Sequence, residues 1–111
     1  MAAVGKRLGS TVSSGTIGTA DVLYTTPAST WTVVSTIGIC NRGASSQTYR
    51  VAVSTTTSFE NDGYLVYGGS VASGDAVYLT NGFVTDDTNI YILCSSDSTD
   101  VSFSAFGIEN T

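Results

Sequence analysis

Histidine is missing from this 111-residue chain altogether. With it go the commonest general base, the usual partner of a Ser or Cys nucleophile and the commonest transition-metal ligand, so most familiar hydrolase sites are excluded. Charge is scarce too, at 12% of residues, with nine acids against four cations. The cations are Lys6, Arg7, Arg42 and Arg50, and only the first two adjoin. A net charge of -5 without clustered Lys and Arg does not suit nucleic-acid phosphates. No apolar run is long enough to span a membrane, and the stretch from Met1 to Arg7 lacks the hydrophobic core of a secretory signal. No Asn stands in an N-x-Ser/Thr sequon. These features fit a protein made and used without export.

Leu, Glu, Lys and Arg are sparse, and no window shows the i, i+3, i+4 apolar spacing of a helix. What is present instead is hydroxyl: Ser and Thr make up roughly 30% of the chain, well above their usual share. β-branched and aromatic residues alternate with polar ones in short runs separated by Gly-, Asn- and Asp-rich breaks, which is strand and turn chemistry. One domain of this size holds one core.

The periodicity predicts about eight short strands. Residues 1–17, rich in Gly, Ser and Thr, read as an extended N-terminal arm with a short strand near Arg7 to Val12, of which residues 1–14 are expected to be removable with the fold intact; residues 18–111 form the domain. Strands are expected at Ala20–Thr25, Trp31–Cys40, Thr48–Ser54, Tyr64–Tyr67 (ended by Gly68-Gly69), Asn89–Ser95 and Asp100–Ile108. Asp75–Thr80 and Phe83–Thr85 flank Asn81-Gly82, a pair suited to the tight turn of a hairpin. In the longest strand the odd positions Trp31, Val33, Ile37 and Ile39 are the candidate core face. The fold class is therefore all-β: a β-sandwich of antiparallel strands, jelly-roll-like, with an N-terminal arm.

Candidate chemistry is thin. Asp86-Asp87, or Asp97 with Asp100, are the acids open to a carboxylate-based glycosidase, but they sit among Thr, Asn and Ser with nothing to raise one pKa. Glu60-Asn61-Asp62-Gly63 and Asp97-Ser98-Thr99-Asp100 offer the hard oxygens calcium takes, without the spacing of a known calcium loop. Cys40 and Cys94 read as buried free thiols, with a disulfide as the alternative, and two Cys alone cannot close a zinc site. Tyr49, Tyr67 and Tyr78 are the aromatics to examine for exposure, since exposed Tyr serves sugar stacking and protein interfaces alike. No catalytic, metal or cofactor-binding residue is expected.

Four segments, Leu23-Tyr24-Thr25-Thr26-Pro27-Ala28, Cys40-Asn41-Arg42-Gly43, Tyr49-Arg50-Val51-Ala52-Val53 and Ser102-Phe103-Ser104-Ala105-Phe106-Gly107, follow one another in an order that resembles small virion structural proteins of tailed bacteriophages, those of cyanobacteria and marine bacteria above all. The resemblance runs from about residue 20 to the end. It implies a part of the particle: a capsid decoration (cement) protein on the outer head, or alternatively a tail or fibre component that binds the host. Under the first reading a homotrimer assembled in the bacterial cytoplasm binds the major capsid protein and has no nucleic-acid, membrane or small-molecule partner. Lys6, Arg7 and Arg42 are the candidate partner-binding residues. Arg42 could equally be a local pin on nearby carbonyls.

Overall fold

The structure, a computed structural model, describes residues 3–80, 82–85 and 90–110. Among them are nine strands and no helix: β1 (Ala3–Val12), β2 (Asp21–Thr25), β3 (Trp31–Asn41), β4 (Gln47–Ser54), β5 (Tyr64–Val71), β6 (Ala76–Leu79), β7 (Phe83–Thr85), β8 (Tyr91–Ser96) and β9 (Val101–Asn110). They form two sheets, β1-β9-β3-β6 with β7 also on β3, and β2-β8-β4-β5, antiparallel throughout. β6 pairs with Ile37–Cys40 and β7 with Thr32–Val34, both antiparallel to β3, so the two lie end to end as one interrupted strand. Counted that way the order is that of an eight-stranded jelly roll.

Three expectations are corrected. The chain does not reverse between β6 and β7, so Asn81-Gly82 is no hairpin: Gly82 has φ 69, Asn81 lies outside the described residues, and β3 offers one long edge along which both short strands pair. Gly68-Gly69 does not end β5, because Gly69 pairs with Tyr49 and makes room for it; a Cβ there would run into the phenol ring. The segment expected to reach out as an arm is instead the edge strand β1, paired with β9 from Ala3↔Asn110 to Val12↔Ser102. The short strand expected near Arg7 to Val12 is thus the second half of β1, whose Gly, Ser and Thr hide its full length from a propensity reading, while Leu8, at a bulge between Arg7 and Gly9, packs against the core.

The core lies between the sheets. Phe103, Val101 and Ala105 of β9 and Ile37 and Ile39 of β3 face Val51, Ile92, Cys94 and Leu23 from the other sheet. Burying each large side chain contributes about 1.5–3 kcal/mol. β3 does not keep one parity. Ser35 is an extra residue between the pairs Val34↔Gly107 and Thr36↔Phe106, and its hydroxyl donates to the Phe106 carbonyl at 3.1 Å. Across this bulge the inward set changes from Thr32 and Val34 to Ile37, Ile39 and Asn41. Ile37 and Ile39 are core as expected. Trp31 and Val33 are turned to the outside.

Candidate functional site

That change of parity builds an apolar surface. Residues directly opposite in a sheet share a face, so the registers carry the outer side of β3 across its neighbours: Val33 lies between Val84 and Ile108, Thr36 beside Phe106 and then Arg7, and Gly38 between Tyr78 and Ser104. Trp31, Val84, Phe106, Ile108 and Tyr78 are all exposed there, Tyr78 most of all at 64%. Gly38, without a side chain, lets the Tyr78 ring lean across it: a Cβ would lie 3.2 Å from the ring. Between Tyr78 and Phe106, floored by Gly38, Cys40 and Ala76 and closed by Ser102 and Ser104, is a hollow of about 150 Å³, large enough for a partner's side chain.

The three cations singled out from the sequence separate. Arg7 is exposed at the rim of this face, opposite Phe106. Lys6 points to the other side of β1 and forms a 2.6 Å ion pair with Glu109. Arg42 donates to the Thr99 carbonyl at 2.9 Å, and its backbone N–H to that of Asp100 at 3.0 Å, tying the β3–β4 loop to the β8–β9 loop.

Two of the acids singled out, Glu60 and Asp97, are likewise occupied. Glu60 accepts from the Thr55 backbone and from the Ser54 and Thr55 hydroxyls, and these bonds, the backbone one first, hold its carboxyl below the usual range. Asp97 accepts from the Thr48 N–H at 3.3 Å, and the backbone N–H of Asp100 donates to the Ser98 hydroxyl. Among the described residues no three acids or cysteines gather closely enough to hold a metal ion. Asp86 and Asp87 lie outside the described residues. Both cysteines are free: Cys94 is buried, while Cys40 is exposed on the apolar face because the bulge at Ser35 also moves it outward. Burial first, and the Asp21 charge second, push the Cys94 thiol far up. Of the three tyrosines, Tyr67 and Tyr78 are exposed and Tyr49 is buried, with burial raising its phenol pKa.

No protein-family model and no curated protein matches the chain. Among solved structures it is similar to the CBM22-1–GH10 modules of Clostridium thermocellum endo-1,4-β-D-xylanase 10B complexed with xylohexaose, at 18% identity and a TM-score of 0.44. The match covers 79% of this chain but 18% of that one, so the chain spans less than a fifth of its length.

Proposed function

We propose that this chain is a non-enzymatic structural subunit of a tailed-phage particle, a capsid decoration protein that seats the outer face of its five-stranded sheet on the shell. The observation that carries the reading is the exposed apolar face of Trp31, Val84, Phe106, Ile108 and Tyr78 with its hollow between Tyr78 and Phe106. A contiguous exposed patch of large side chains on a small domain marks a protein contact. The resemblance of the four segments to small virion proteins supplies the partner, the major capsid protein, and homotrimers on the head surface supply the geometry. Arg7 at the rim orients the contact, since a rim charge steers an approach more than it adds to affinity. Burial of the face against the shell is the mechanism, and no reacting group takes part.

Gold-labelled antibody imaging of particles from the source tests the reading. Label spread over the head supports it; label confined to the tail replaces it with a tail or fibre role. Co-sedimentation with purified heads then examines the surface. A Tyr78→Ser/Phe106→Ser variant that keeps its fold is expected to bind at least about tenfold more weakly, a loss of roughly 1.4 kcal/mol. Undiminished binding would sink this face as the contact.

A further inference from the structure

The four-stranded sheet carries a second arrangement on its own outer face, which the capsid reading leaves unused. Arg50 of β4 stands opposite Ser95 of β8. Its guanidinium carbon lies 4.1 Å from the centroid of the Tyr67 ring and 6.0 Å from that of Tyr64. Tyr64 meets Tyr67 edge to face at 4.9 Å, and Phe59, from the loop before β5, stacks on Tyr64 at 5.3 Å. The rings thus fix the cation in place, yet Tyr67 remains 60% exposed. Beside it the surface is open, for a Cβ on Gly68 would meet nothing within 4 Å. One step along the same face Thr48 and Ser70 are paired across the two strands, adding hydroxyls.

Among the described residues Arg50 is a cation without a counter-ion in an acid-rich chain. Among the described residues the ion pair is Lys6 with Glu109; no carboxylate reaches Arg50, and its Nε is buried without an acceptor. A guanidinium held by aromatic rings keeps its planar fork of donors aligned, which is the arrangement that recognises a carboxylate. An exposed tyrosine offers a flat apolar surface with a polar tip, the counterpart of the C–H face and hydroxyl rim of a pyranose. We propose that Arg50 and Tyr67, with Thr48 and Ser70 beside them, bind an acidic saccharide, a pyranose unit that carries a carboxylate. The tyrosine receives the ring and the arginine the acid group.

Titration of the full chain with trigalacturonate, a hyaluronan hexasaccharide and 3′-sialyllactose, followed by NMR, tests this. At least one of the three is expected to give saturable shifts at the Arg50 Nε–H and around Tyr67, with neutral cellotriose bound about tenfold or more weakly. The affinity is expected to fall as salt is raised to 0.5 M, since Arg50 is only partly buried and salt screens its attraction for the carboxylate. Tyr67→Ala and Arg50→Gln should each remove most of the affinity. The wild-type shifts locate the site even if a variant fails to fold. Absence of saturable shifts with all three acidic probes, shifts confined to another face, or equal affinity for cellotriose would overturn the proposal. The apolar face of the other sheet is untouched by either outcome.

Discussion

The phenol of Tyr24 donates a 2.6 Å hydrogen bond to Oε2 of Glu109, joining β2 of one sheet to β9 of the other. Lys6 of the edge strand holds Oε1 of the same carboxylate, and the Thr32 hydroxyl lies 2.8 Å from the phenol oxygen. One carboxylate therefore ties three strands together at a margin of the core. A hydrogen bond to a charged acceptor contributes about 1.5–3 kcal/mol. Tyr24→Phe, which keeps the ring and removes the donor, is expected to lower Tm by roughly 5–10 °C in calorimetry. An unchanged Tm would mean that Lys6 alone satisfies Glu109.

The same network sets the response to pH. Burial alone would raise the Glu109 pKa, but the hydrogen bonds from Lys6 and Tyr24 and the Lys6 charge outweigh it and hold the group below its usual value. Glu60 is also lowered. A depressed folded-state pKa gives stability that is complete above the unfolded value, about 4.3 for Glu, and is lost as pH falls through the folded one. Denaturant midpoints should therefore decline below about pH 5, and Glu109→Gln should flatten part of that decline. At the alkaline end burial first, then Glu109, push Tyr24 up to about 12. Its contribution is full below the ordinary tyrosine value of about 10 and is lost as pH rises toward the folded one.

Asn41, wholly buried at the end of β3, spends its amide completely. Nδ2 donates to the Ser45 carbonyl at 2.7 Å and the Val71 carbonyl at 3.1 Å, and Oδ1 accepts from the Gly43 N–H at 2.9 Å. A carboxylate here would face two carbonyls with no proton to give. Asn41→Asp is expected to cost about 3 kcal/mol or more, read as a shift in the urea midpoint with an unchanged slope, and Asn41→Ala somewhat less. Loss smaller than about 1 kcal/mol for either would show that the loop re-forms around the missing amide.

Tyr24 and Asn41 also explain which parts of the molecule were legible in the sequence. Both sit at or beside the end of a strand, where the residue types read as strand and turn chemistry, while a Cβ on Gly107, inside β9, would collide with the Val33 carbonyl beside the bulge. Class and strand positions could be read because short alternating runs are separated by Gly-, Asn- and Asp-rich breaks. β9 was legible because one unbroken alternation, Val101, Phe103, Ala105, faces the core. The position of β3 and its inward Ile37 and Ile39 were legible as well, but its parity before Ser35 was not, since Ser35 inserts one residue and nothing in Val34-Ser35-Thr36 marks the change. The outer apolar face was missed for that reason, its Trp31 and Val33 having been assigned inward. The Arg50–Tyr67 pair was out of reach for a different one: it depends on how β4 and β5 register, with shifts between Tyr49 and Val51 and again before Ala52. Sequence alternation carries no record of pairing across strands.

The edge strand makes the last prediction, and it runs against the expectation that residues 1–14 can be removed with the fold intact. Removing residues 1–12 would take away Leu8 from the core and the Lys6 ion pair from Glu109, and would leave the long β9 as an open edge with Phe106 and Ile108 beside it. Unpaired backbone next to exposed apolar side chains invites pairing between chains. The truncated protein is expected to lose at least about 10 °C in Tm and to aggregate in light scattering at concentrations where the whole chain stays dispersed. A truncated chain that kept its Tm and stayed dispersed would show that β9 tolerates an open edge, and β1 would then be free to serve as an arm after all.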